Sequence, residues 1–210
     1  MPPGTKRWLK GPKPRPTRSL RRLLALCEDT KSALLYLKRF PLDPNQVEIK
    51  YEGTGMNTDS LMEEAIRWKA AAAKNNAPYD EIWVVYDKDE FPARNFHRAF
   101  DLARAHPNIR ACWSNECFEI WYLLHFCYRD TGAGREEIWD LVSKHLGKRY
   151  NKATNEVFDL LAPKLGEALR NADRLAYANG GGASRFGNPS TRVHELVKVL
   201  QKFDPARQTA

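Results

Sequence analysis

Glu81-Ile82-Trp83-Val84-Val85-Tyr86-Asp87-Lys88-Asp89 is the stretch on which the reading of the whole chain turns. Its apolar run, Ile82 to Tyr86, is β-branched or aromatic throughout and ends abruptly in charge. Stiff, bulky side chains without an exposed alternation suit a strand covered on both faces, as in a parallel sheet flanked by helices. Working outward, Leu23-Leu24-Ala25-Leu26-Cys27 is a second continuous run, cut off at Glu28-Asp29-Thr30. Val47, Ile49 and Tyr51 alternate with polar residues, the pattern of a half-exposed strand nearer a sheet edge, and Ile109 to Trp113 supplies a fourth strand. Helices fall between them. One is expected over 33–40. A second follows Ser60 and Glu63, read as a capping box, with Leu61, Ala65, Trp68 and Ala72 at helical spacing up to Lys74. A third covers 94–105, with Phe96, Ala99 and Ala103 on one face, and Phe118 to Phe126 is apolar nearly all round, as a buried helix would be. Strand and helix alternate four times, which implies right-handed crossovers and an α/β fold: a mainly parallel sheet with helices on both faces.

Beyond Gly132 the pattern turns helical, giving a C-terminal helical extension. Helices are expected over 136–146 and 155–178. A glycine-rich loop at 179–182 follows, then a last helix over 189–203 with Asn188 as cap and Pro189 in its first turn. Residues from Asp204 onward are expected to be disordered. The resulting division is a basic, proline-rich arm (1–22), an α/β core (23–130), a helical region (131–203) and a tail (204–210).

The chain has 210 residues, 42% of them apolar and 29% charged, enough for one domain with a substantial core and no need of disulfides. No apolar run approaches the roughly 20 residues of a membrane span, and the basic N-terminus lacks the apolar stretch of a signal peptide. Cys27, Cys112, Cys117 and Cys127 sit among apolar residues without zinc-like spacing, so they are expected to be reduced core thiols of a cytoplasmic protein. The net charge of +8 has one source: eight lysines and arginines in residues 1–24 face no acid, and the remaining 26 basic residues balance 26 acids. Lys10, Lys13, Arg15, Arg18, Arg21 and Arg22, with Trp8 interleaved, are candidates to lie along nucleic-acid phosphates; the competing reading is a solvated tail.

Three carboxylates are expected at one edge of the sheet. Glu28 follows the first strand, and Asp87 and Asp89 follow the third. Ligands of such sheets bind in the crevice beyond the carboxyl ends of the strands. In extended backbone the i, i+2 spacing points Asp87 and Asp89 to the same side, where both can reach one hard cation. All-oxygen donors suit Mg²⁺ or Mn²⁺, and such an ion polarises a phosphoryl oxygen. The alternative is a solvated loop in which an aspartate merely caps the next helix.

Glu28 with Asp87-x-Asp89 resembles the Toprim arrangement of primases, topoisomerases and related nucleases. Further segments are similar to the RloB-like family: Leu26-Cys27-Glu28, Gly53-Thr54-Gly55-x-Asn57, Tyr79-Asp80-Glu81-Ile82-Trp83, Ser114-Asn115-x-Cys117-Phe118-Glu119 and Asn188-Pro189-Ser190-Thr191-x-Val193-His194. The resemblance implies a Toprim-like fold, with Glu28 as general acid/base and Asp87 and Asp89 as metal ligands. It further implies a Mg²⁺- or Mn²⁺-dependent nuclease acting on RNA or DNA in bacterial phage defence (abortive infection), beside an AAA- or ABC-type ATPase partner. A homodimer is compatible with it. Asp29 stands where the family usually has glycine, and Lys31-Ser32 where it has a Thr-Glu pair. The rival from another class is a non-catalytic sensor that binds a nucleotide or phage-derived signal in the same acidic crevice.

Accessory candidates lie further along. Ser114, Asn115 and Glu119 follow the fourth strand; Asn115 is favoured as a helix cap, while Glu119 is either a ligand or a complement to the helix N-terminus. His194 is a candidate proton carrier or phosphate contact, set against a buried structural histidine. Arg185, in the loop 180–187, belongs either to a lid over phosphate or to a plain connector. No Walker lysine or nucleophile elbow is present, so ATP hydrolysis by this chain is not expected.

Overall fold

The computed structural model describes residues 20–88, 93–154, 156–180 and 182–208. Five strands form one sheet among these residues: β1 (Arg21–Cys27), β2 (Val47–Gly53), β3 (Glu81–Asp87), β4 (Ile109–Asn115) and β5 (Ser190–Thr191). Their order is β2-β1-β3-β4-β5; the first four run parallel and β5 lies antiparallel to β4. The continuous apolar runs are explained by what covers each face. From β3, Ile82, Val84 and Tyr86 join Leu24 and Leu26 of β1 under α2 (Thr58–Lys74) and α3 (Ala93–Ala105), while Trp83 and Val85 face the opposite core with Cys27. Each fully buried Leu, Ile or Val is worth about 2 kcal/mol of transfer free energy, so neither face tolerates a polar residue cheaply. β2 is an edge strand, with β5 at the other edge, and its alternation follows from that position.

The second face is covered by α1 (Ser32–Leu37), α4 (Glu119–Leu123), α5 (Arg135–Leu146), α6 (Glu156–Leu161), α7 (Leu165–Asn179) and α8 (Val193–Gln201). α4 is buried along its whole length: Ile120 to Leu123 are apolar or aromatic, and Glu119 at its start is buried with them.

Several expectations need correction. The start of α2 is not a Ser60–Glu63 box: Asn57 is the cap, its side chain accepting the Ser60 N–H at 3.0 Å. The helix expected over 155–178 is two, α6 and α7, separated by a 3-10 turn at Ala162–Lys164 where Pro163 interrupts the hydrogen-bond ladder. No helix begins at Pro189. Ser190 and Thr191 instead pair with Asn115 and Ser114 as β5, and α8 begins at Val193. The sheet ladder offered these backbone groups partners that an isolated helix start could not. Asn188 does not cap a helix either: its side chain bonds both backbone groups of Ala133, accepting from N at 3.2 Å and donating to O at 3.0 Å. The C-terminal helical extension is therefore tied into the sheet through β5.

The tail also departs from expectation, since α9 (Pro205–Gln208) is a helical turn whose Gln208 bonds the Gln46 side chain. Arg21 and Arg22 belong to β1 and not to the arm. Arg21 pairs with Asp80 and Glu81, and Arg22 pairs with Glu48 and lies over the Tyr79 ring. Those partners are supplied by neighbouring strands and loops that only the folded sheet brings near.

Candidate active site

β1 lies between β2 and β3, so the chain leaves β1 to one side and later crosses to the other. The carboxyl ends of β1 and β3 thus flank the topological switch point, where ligands of doubly wound sheets bind. Glu28 leaves β1 there and Asp87 ends β3. The Glu28 N–H bonds Val85 O at 2.9 Å, and Glu28 Oε2 accepts the Asp87 N–H at 3.1 Å and the Thr58 hydroxyl at 3.5 Å.

The Gly53-Thr54-Gly55 turn holds Glu28 from the other side. The Thr54 N–H bonds Cys27 O at 3.0 Å and the Gly55 N–H bonds Glu28 O at 2.9 Å. A Cβ at Gly53 would stand 2.8 Å from Leu34 Cδ2 and 2.9 Å from Asp29 O, so the turn can press against this loop only because residue 53 has none. Gly55 adopts φ +66°, which a side chain would disfavour.

Charge is concentrated here. Burial, against hydrogen bonds from Asp87 and Thr58 and the more remote charge of Arg135, pushes the Glu28 carboxyl up to about 7. Asp87 is raised well above the ordinary carboxylate range, first by burial and then by the charges of Glu119, Glu28 and Asp29. Asp29 is itself raised, again mainly by burial. Its side chain accepts the Ser32 N–H at 3.1 Å and the Lys31 N–H at 3.3 Å, so the residue that stands in the glycine's place satisfies the start of α1.

Glu119 is fully buried beside this cluster but held differently. Its Oε1 accepts the Ser32 and Tyr150 hydroxyls at 2.7 Å each, with Lys152 Nζ at 3.8 Å, while Oε2 has no hydrogen-bond partner. Burial works to raise its pKa, but Lys152 and the hydrogen bonds overcome it and hold the group below its ordinary value. Tyr150 and Lys152 were invisible to sequence reasoning, and Ser32 stands out there only as a departure from the family's pattern. They come from α1 and from the segment after α5, with no shared motif to announce them.

The other candidates are placed as follows. Ser114 Oγ lies 3.1 Å from Thr191 Oγ1 across the β4–β5 pair. Asn115 does not cap α4; its Nδ2 donates to Phe186 O at 2.7 Å, because β4 extends through residue 115 and the helix starts only at Glu119. Phe186 packs among Phe96, Phe100 and Trp113, and Arg185 lies over the Phe100 ring, so this end of the glycine loop is anchored to the α3 face and is not a free lid. His194 is buried between α8 and α7, with Nε2 3.6 Å from Asp173 Oδ1. Burial lowers its pKa to about 4, and its charged neighbours are Asp173, Arg192 and Lys198, not the switch-point carboxylates. Asp89, Lys10, Lys13, Arg15 and Arg18 lie outside the described residues.

Among the described residues no three His, Cys, Asp or Glu side chains are grouped so as to hold a metal ion. Glu28 and Asp87, adjacent through the Asp87 backbone N–H, offer only oxygen donors, and burial raises both carboxyls above the ordinary range, a cost that a hard cation relieves. All four thiols are free, and no helix among the described residues is long and apolar enough to cross a membrane.

Fold and site together define a doubly wound α/β protein with an acidic switch point, consistent with a Toprim-like α/β fold. The family model described as RloB-like protein matches residues 23–200, and the chain belongs to this family. No curated protein matches the sequence.

Proposed function

We propose that this protein is a metal-dependent phosphodiesterase cleaving RNA or DNA, working in bacterial phage defence in the cytoplasm with an ATPase partner. One observation carries the reading: the Glu28 carboxylate, following β1, accepts the backbone N–H of Asp87, at the end of β3, at 3.1 Å, which sets the two residues side by side at the switch point. Asp87, with Asp89 beyond it, would hold Mg²⁺ or Mn²⁺, which when bound supplies polarisation of the phosphoryl oxygen. Glu28 moves the proton. A carboxyl poised at about 7 exists in both protonation states near neutral pH, as general acid–base work demands. The Asp87 N–H and the Thr54–Gly55 turn fix its orientation. The ATPase partner and the defence role rest on family membership, and the basic arm would gather the polyanion.

The test uses labelled RNA and DNA panels with Mg²⁺ or Mn²⁺, comparing the wild type with Asp87→Asn, Asp89→Asn double substitution. Cleavage by the wild type alone is expected; equal cleavage by both removes the assigned site. Tight binding of a nucleotide without turnover in either protein would install the sensor reading instead.

A further inference from the structure

A cleft of about 800 Å³ opens between α5 and the segment that follows it, lined in part by Trp139, Asp140, Arg149, Tyr150 and Lys152. Its size is that of a site for a small organic ligand. Trp139 also borders a second cavity of about 460 Å³, formed with Arg135 and Glu116, so it lines both. Lys152 Nζ sits 5.0 Å from the Trp139 ring centroid, and Arg135 lies 6.0 Å from it. The indole N–H is buried and without a hydrogen-bond partner, so the part of Trp139 that borders the cleft is carbon ring. Arg149 is exposed and makes no ion pair with a described residue. Both cations lie over the ring, so a base that stacks on this partly exposed indole displaces one of them, and the displaced charge with Arg149 is then free to meet the backbone, as on a single-strand platform.

The cleft adjoins the carboxylates. Its wall residues Tyr150 and Lys152 are those that hold Glu119, Lys152 also acts on Asp29, and the charge of Arg135 reaches Glu28. Glu136 and Asp140 add acceptors on the α5 side, suited to sugar hydroxyls or exocyclic amines and unsuited to a second phosphate. We propose that this cleft seats one nucleotide of single-stranded nucleic acid next to the switch-point carboxylates. The base stacks on Trp139, and the adjoining phosphate lies against Arg149 and Lys152. The inference deepens the phosphodiesterase reading by assigning its substrate a subsite, and its occupant is a single strand, ribose or deoxyribose.

The experiment measures anisotropy of labelled ten-residue uridine and thymidine oligonucleotides in EDTA, where no cleavage occurs. Trp139→Ala should weaken binding about tenfold and Trp139→Phe much less, because a smaller ring still stacks. Arg149→Ala, an exposed change without folding cost, should lower the slope of log affinity against log salt by about 0.7, the value of one single-strand phosphate contact. The uridine and thymidine arms separate the two sugars. Unchanged affinity and slope in Trp139→Ala and Arg149→Ala overturn the cleft, as does a wild type that binds neither oligonucleotide. A wild type that binds through Trp139 and Arg149 yet cleaves nothing once metal is restored keeps the cleft and sinks the phosphodiesterase reading.

Discussion

Two buried acidic regions lie side by side and are treated in opposite ways. At the switch point, burial pushes Asp87 and Glu28 up; the charges of Glu119, Glu28 and Asp29 add to the rise at Asp87, and the hydrogen bonds from Asp87 N–H and Thr58 offset it only in part at Glu28. A few residues away in space, Glu119 is more deeply buried but receives two hydroxyls and the Lys152 ammonium, and its pKa falls. An isolated buried charge is expensive, and the three groups gathered on Glu119 Oε1 have no equivalent at the switch point. The difference assigns Glu119 to holding α1, α4 and the segment after α5 together; the function we propose places the chemistry on the switch-point pair, in keeping with the concentration of perturbed carboxyls at functional sites.

The contrast can be broken most sharply at Asp87. Asp87→Asn should lower cleavage about a thousandfold, roughly 4 kcal/mol of transition-state stabilisation. In EDTA the same variant should be more stable to urea than the wild type, by about 1 kcal/mol, because a crowded buried charge is gone. A variant both inactive and less stable would put Asp87 in the same class as Glu119.

Glu119→Ala should do the reverse and destabilise the fold by about 4 kcal/mol, since it leaves Ser32, Tyr150 and Lys152 without their acceptor. Urea unfolding followed by circular dichroism reads this directly, and a loss under 1 kcal/mol would undo the contrast from that side.

The compensated region also carries a pH dependence. His125 is buried under α4, with Nδ1 2.9 Å from Trp121 O and Nε2 3.3 Å from the Tyr36 hydroxyl. Burial lowers its pKa to about 4 against an ordinary 6.5. Between those values the unfolded chain binds the proton and the native state does not, so stability is full above pH 6.5 and is lost as pH falls towards 4. The loss is on the order of 3 kcal/mol. Comparing the pH dependence of urea midpoints for the wild type and His125→Phe should show a shallower acid slope in the variant; parallel slopes would refute the assignment.

Gly53→Ala sharpens the comparison with a smaller effect. The added methyl meets Leu34, Asp29 and Thr30, so about 2 kcal/mol of stability should be lost and cleavage should fall with it, because Glu28 is displaced. The same change should leave Glu119 and its partners in place, which the Tyr150 hydroxyl resonance would report. The smallest effect is expected at the surface: Glu81→Gln, which removes the exposed pair with Arg21, should cost under about 0.5 kcal/mol.

Much of this was legible in the chain itself. Apolar runs without alternation at 23–27 and 82–86 determined strands covered on both faces, and their order with the intervening helices determined a parallel α/β sheet, because period and burial are local properties of side chains. The position of Glu28 and Asp87 at strand ends followed from the same reading. The course of Asn188 to Thr191 was not legible. A cap-like Asn-Pro pair reads as a helix start, but β4 had a free edge and took residues 190 and 191 into the sheet. Nor could sequence show that Glu119 is neutralised by Ser32, Tyr150 and Lys152, or that Trp139 faces a cleft beside them. Those contacts join residues 87, 31 and 33 positions from Glu119 in one case and helix to loop in the other. Electrostatic compensation acts through distances of a few ångströms in space, and only tertiary packing decides which groups come that close.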